Sequence, residues 1–195
     1  KQGLVGMTSE SADLSEYHQN LTFIYYNHRP GTFEEAAEDV IKCCVYFSIP
    51  ALIETNKDAL ITFMYKRDYS NYLLKNPLKT KADLTHQENK YGGIYTSNAN
   101  TDKQEQALES YIYTYIHEDV DENNIKAPFL DLNNTTSGYI RENRKSKDST
   151  VAWQLATIAN NRKLKKREPQ SQQSEYTQSI KALFYNQDYE PQMHN

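Results

Sequence analysis

Two carboxylates, Glu54 and Asp148, stand where this sequence could place chemistry. Residues 49–57, Ile-Pro-Ala-Leu-Ile-Glu-Thr-Asn-Lys, read as a short buried strand ending at Glu54, and strand tips in α/β sheets are where ligands and catalytic groups collect. Asp148 opens the last apolar helix. A core helix packed on a sheet would bring two such acids within reach of one metal ion. Hard oxygen ligands suit Mg²⁺ or Mn²⁺, and a pair of these ions can stabilise the attacking and leaving oxygens of a phosphodiester. On the residues alone a plainer alternative stays open, with Asp148 a helix cap and Glu54 a solvated strand end.

Other chemistries have no matching pattern. The chain lacks a glycine-rich phosphate loop, a Gly-x-Ser-x-Gly elbow, His-Glu-x-x-His and paired cysteine metal motifs. Its five histidines, His18, His28, His86, His117 and His194, have no ligand spacing. The only cysteines, Cys43 and Cys44, are neighbours in a helical pattern, poor geometry for bridging each other, and read as reduced core thiols. Asn20-Leu-Thr and Asn134-Thr-Thr match the glycosylation sequon by chance. No run of 18 apolar residues and no basic-then-apolar leader is found, so neither a membrane span nor a signal peptide is expected, and the expected compartment is the cytosol.

The elements that must position the two acids follow from hydrophobic period. Gly3–Thr8 is a strand candidate, and Leu21–His28 is a stronger one, rich in aromatic and β-branched residues and closed by Arg29-Pro30-Gly31. At Thr32 the period changes. Thr32 and Glu35 form a capping box, and Phe33, Ala36, Ala37, Val40, Ile41, Cys44, Val45 and Phe47 recur at helical spacing until Pro50. Ala51–Glu54 is the next strand, and Asn56 or Lys57 opens a helix through Tyr65. Strand, helix, strand implies a crossover and an at least partly parallel sheet, so the fold class is α/β. Tyr72-Leu-Leu reads as a further short strand, Asn76–Asn89 as a polar loop, and Tyr91-Gly-Gly-Ile-Tyr-Thr as a turn into a small strand or a helix entry. Thr101–His117 forms a long helix, residues 131–144 another, and Asp148 or Ser149 caps the last, Val151–Asn160. Beyond residue 167 the chain is Gln- and Ser-rich, so the domain is placed at 1–167, with 168–195 a polar tail whose Ile180–Tyr185 stretch could dock as a short helix.

Charge is unevenly spread. The window 141–167 holds nine basic and two acidic side chains, a net of +7, while the chain carries −4 overall, leaving −11 elsewhere. Clustered Lys and Arg gain affinity for polyanions by releasing counterions, although a solvated basic helix end has the same composition.

Four segments in order resemble the C-terminal nuclease domain of the large terminase subunit of tailed bacteriophages. They are Phe23-Ile-Tyr-Tyr-Asn-His-Arg-Pro before a helix, Pro50-Ala-Leu-Ile-Glu-Thr-Asn-Lys, Tyr91-Gly-Gly-Ile-Tyr-Thr, and Lys147-Asp-Ser-Thr-Val-Ala-Trp. The resemblance implies an RNase H-like mixed sheet flanked by helices and a metal-dependent endonuclease that cuts concatemeric viral double-stranded DNA. It implies Mg²⁺ or Mn²⁺ at acids on the first strand, at the strand after the first helix and at the start of the last helix. Glu54 and Asp148 match the second and third. Ser149 stands where the family often has Arg. Gly3–Thr8 matches the family's second strand, so the first strand, its aspartate and the ATPase domain are expected upstream of Lys1, and weak or no cleavage is expected of this chain. Asp13 and Glu16 are the nearest substitute acids. In this frame Arg144, Lys145 and Lys147 would meet DNA phosphates, with Lys57, Lys66, Arg67, Lys79, Lys81 and Lys90 as further contacts. Portal and small terminase subunit are the implied partners, the host cytoplasm the implied location. Two other classes stay open: a catalytically silent docking module on the same scaffold, and a helical interaction domain without a sheet.

Overall fold

The computed structural model describes residues 2–8, 19–116 and 126–160, all within the unit that spans Lys1–Arg162. Asp13, Glu16, His117, the acidic run 119–124 and everything from residue 161 onward, including the basic residues 162–167 and the Ile180–Tyr185 stretch, lie outside the described residues.

The architecture mixes helix and strand. β1 (Gln2–Met7) pairs antiparallel with β2 (Thr22–His28), Val5 standing opposite Tyr25, with a register shift between Gly6 and Met7. Helix α1 (Phe33–Phe47) starts at the expected capping box, with Thr32 accepting from the Glu35 amide and Glu35 reaching back to the Thr32 amide. It ends at Ser48, which takes a left-handed conformation (φ 53°) and returns its N–H to Val45. A 3₁₀ turn (Thr55–Lys57) then leads into α2 (Asp58–Lys66). After α3 (His86–Tyr91) come α4 (Asn98–Tyr115), α5 (Leu130–Ser137), a 3₁₀ segment (Arg141–Ser146) and α6 (Asp148–Asn160).

The expected strand Ala51–Glu54 exists only as single parallel bridges. Ala51 pairs with Leu73, Glu54 with Ile94 and Lys75 with Gly93. Among the described residues these do not join β1 and β2, so the expected continuous sheet is instead an antiparallel ribbon and a separate set of bridges. Chain shape explains the second set. Gly92 and Gly93 adopt positive φ (76° and 84°), and a Cβ on Gly93 would lie 2.8 Å from the Ile53 carbonyl oxygen. Only glycine lets the backbone come this close while turning that way. The Ile94 amide then donates to Ile53 at 2.9 Å, and the Thr55 amide to Ile94 at 2.9 Å, fixing Glu54 at the end of the bridge.

Three buried clusters hold the elements. Val5, Leu108, Tyr111, Leu132 and Trp153 join β1, α4, α5 and α6. Ile41, Ile53, Ile61 and Met64 join α1 and α2 to the bridged segment. Ile94, Val151 and Leu155 seat α6 on the bridges, with Leu52 beside them. Helix α6 is thus enclosed on several sides, and even its polar Thr150, Gln154 and Thr157 are buried.

Candidate active site: a buried carboxylate and its guanidinium

Glu54 is 8% exposed, and a charged group so placed requires partners. Its Oε1 accepts from Arg144 Nη2 at 2.7 Å and from the Thr96 hydroxyl at 3.0 Å. Among the described residues Oε2 takes no hydrogen bond. Arg144 comes from the 3₁₀ segment just ahead of α6, and its guanidinium is held from two further sides. Nη2 also donates to Gln104 Oε1 on α4 at 2.9 Å, and Nη1 donates to Gln154 Oε1 on α6 at 2.8 Å. The planar fork of arginine suits such divided recognition, which a lysine ammonium could not reproduce.

Gln104 and Gln154 are 0% and 1% exposed. Facing the guanidinium with its oxygen leaves Gln104 Nε2 buried with no hydrogen-bond partner among the described residues. Flipping the amide would satisfy neither end, because Nε2 would then face another donor. A buried unpaired donor costs about 1–3 kcal/mol, so holding Arg144 outweighs that cost. The site opens to solvent on the side of Thr96, whose hydroxyl also lies 3.3 Å from Oδ1 of the exposed Asn56.

Asp148 is half-buried as the first residue of α6, within the helix rather than ahead of it as a cap. Its position recurs with Val151 and Leu155 on one helical face, the face that packs against Ile94, the bridge partner of Glu54. In kind, the hard oxygens of Glu54 and Asp148 fit Mg²⁺ or Mn²⁺. Among the described residues no three His, Cys, Asp or Glu side chains converge, and the charge beside Glu54 is that of Arg144.

The other basic residues singled out from sequence have varied surroundings. Lys145 and Lys66 are exposed. Lys147 Nζ donates to the Thr135 carbonyl at 3.1 Å. Arg67 pairs with Glu38 at 2.8 Å and lies over the Phe63 ring. Lys90 is exposed with its ammonium over Tyr91, 4.8 Å from the centroid, and its hydrogen bond with the Tyr91 side chain raises its pKa. The side chain of Lys57 lies outside the described residues. Arg141, from the same basic window, is bound to Glu105 and Asp102, and Glu105 is held below the usual carboxylate range chiefly by Arg141.

Sequence reasoning missed Thr96, Gln104 and Gln154. A signal existed for Gln104: it falls on the helical spacing Thr101, Leu108, Tyr111 of the buried face of α4, a large polar side chain at a core position. It also missed α3, which overlaps the end of the stretch read as a loop, although Thr85-x-x-Glu88 is a capping box that the structure forms in full. Lys79, another basic residue from that stretch, binds Glu88 at 2.8 Å. Comparison with protein-family models, curated proteins and solved structures returned no match. Among the described residues no helix is long and apolar enough to cross a membrane.

Proposed function

We propose that this chain is the nuclease domain of a viral DNA-packaging terminase, RNase H-like in fold, which hydrolyses phosphodiesters of concatemeric double-stranded DNA with Mg²⁺ or Mn²⁺. The observation that most supports this reading is the meeting of Glu54 with the segment leading into Asp148, through Arg144 at 2.7 Å. The resemblance rests on four segments in order, two of which carry Glu54 and Asp148. In this reading Glu54 and Asp148 would hold the cation. The metal, when bound, would polarise the scissile phosphate and activate water. Thr96 orients the Glu54 carboxylate, and Gln104 and Gln154 fix the guanidinium of Arg144. Lys145, exposed beside Arg144, is available to the DNA backbone. Neither β1 nor β2 carries a carboxylate, so the family's first acid is assigned outside those two strands. Portal and small terminase subunit as partners, and the host cytoplasm as location, belong to the same proposal.

The test is nicking of supercoiled plasmid in Mn²⁺ and in Mg²⁺, with Glu54→Gln and Asp148→Asn compared at matched fold by circular dichroism. Loss of nicking in both variants supports the reading, and metal-dependent nicking that survives both substitutions overturns it. A second reading, a catalytically silent docking module, is favoured by the pairing of Glu54 with Arg144. Salt-sensitive DNA binding together with no Mn²⁺ between Glu54 and Asp148 in a Mn²⁺-soaked crystal would support that reading instead.

A further inference from the structure

We infer that Arg144 is a built-in competitor for the cation at Glu54, kept in place by Gln104 and Gln154, so that metal binding requires the guanidinium to leave the carboxylate. The inference rests on the proposed metal role of Glu54 and adds a device that sets how tightly the cation is held. Three observations carry it. First, Arg144 and Thr96 both bond the same oxygen, Oε1, and Oε2 takes no hydrogen bond among the described residues. One oxygen is therefore available to a first metal contact while Arg144 is still engaged. Second, the guanidinium is anchored by amide oxygens on two different helices, and these bonds do not depend on Glu54. Arg144 can lose the carboxylate and still be held beside it. Third, Gln104 is locked in the orientation that serves Arg144 although this leaves its buried Nε2 without a partner among the described residues.

A fixed positive charge a few ångströms from a carboxylate opposes a second cation there, by an amount that depends on local screening. Arg144 displaced towards Gln104 and Gln154 would remain within reach of an anionic ligand brought by the metal. Gln104 and Gln154 are thus positioning residues, acting through Arg144.

The experiment measures Mn²⁺ binding directly, by electron paramagnetic resonance of free Mn²⁺, on the full chain and on Arg144→Gln, Arg144→Lys, Gln154→Leu and Glu54→Gln. Removal of the competing charge in R144Q should tighten Mn²⁺ binding by about tenfold or more. R144K, which keeps the charge but cannot span both amides, should fall between that variant and the parent, and so should Q154L. Because R144Q leaves Glu54 buried without its partner and could lose fold, R144K supplies the same direction of change with the charge retained. Glu54→Gln combined with Arg144→Gln should abolish the gain. Mn²⁺ binding that depends on Glu54 yet is unchanged or weaker in the folded Arg144 variants would overturn the competitor role and leave the nuclease reading standing. Mn²⁺ binding with no dependence on Glu54 in any variant would overturn both.

Discussion

Arg144 and Glu54, 90 residues apart in the chain, form a buried pair at 2.7 Å, with side chains only 15% and 8% exposed. Removing one partner strands the other charge, whereas replacing both removes the need for either. Arg144→Met alone should therefore lower stability by about 3 kcal/mol, and Glu54→Leu/Arg144→Met by much less than the sum of the singles. Urea denaturation of the four proteins in this cycle measures the coupling, and additive losses would show that the pair is not energetically linked.

Glu88 carries the clearest pH dependence. Burial alone would raise its pKa, but hydrogen bonds from Asn76, Lys79 and Thr85 outweigh this and hold it at about 2, against an ordinary value of 4.5. The folded state prefers the charged form, so the stabilisation is fully present above about pH 4.5 and is lost as pH falls through 2. Glu88→Gln should be less stable than the parent by about 3 kcal/mol near neutrality, and the two should converge at the acid end. Denaturation midpoints followed from pH 7 to pH 2 give the comparison, and a gap that stays constant would contradict it.

Gly3 brings the backbone of β1 against the start of α6. A Cβ there would lie 2.6 Å from the Ser149 Cα and 2.7 Å from the Asp148 carbonyl oxygen, both backbone atoms that cannot swing aside. Gly3→Ala should cost about 1–3 kcal/mol through overpacking and displace the start of α6. If Asp148 serves the proposed chemistry, nicking should fall in the same variant while Gly31→Ala, which meets only the Glu35 carboxylate, leaves it unchanged. Thermal melts and plasmid nicking together separate the two effects.

Trp153 anchors α6 to β2 by donating from Nε1 to Thr22 Oγ1 at 3.2 Å, and that hydroxyl lies 3.2 Å from the Tyr111 hydroxyl. Tyr111, pushed up to about 12 by burial, stays a neutral hydrogen-bonding group across the ordinary pH range. Trp153→Phe should lose about 1 kcal/mol with the bond, and Trp153→Ala about 3–5 kcal/mol with the packed volume. Equal losses in the two variants, read from chemical denaturation, would mean that the indole contributes little by filling space.

Local signals were legible where a single segment suffices to specify them. Thr32 and Glu35 announced α1 because a capping box is made within four residues, and the aromatic and β-branched run Leu21–His28, closed by Arg29-Pro30-Gly31, announced β2 (Thr22–His28) because composition and a breaker are local to one strand. The same kind of signal at Thr85 and Glu88 marked α3, hidden by the polar composition around it. Helix α4 begins at Asn98, ahead of the expected Thr101, because Ser97 supplies the cap. The helix expected over 131–144 stops at Ser137, with Gly138 following, and resumes only as a 3₁₀ segment from Arg141.

The sequence by itself determined that the chain mixes helices with strands and where most helices start. Those properties follow from periodicity, caps and breakers, which are written within a few residues of one another. Tertiary structure alone decided that the Ala51–Glu54 strand is reduced to single bridges, because pairing depends on where Leu73, Gly93 and Ile94 are delivered by other parts of the chain. It alone decided that Arg144, expected among surface contacts, turns inward onto Glu54 between Gln104 and Gln154. Burying a carboxylate demands a counter-charge, and which cation supplies it is settled by packing between segments that are distant in sequence.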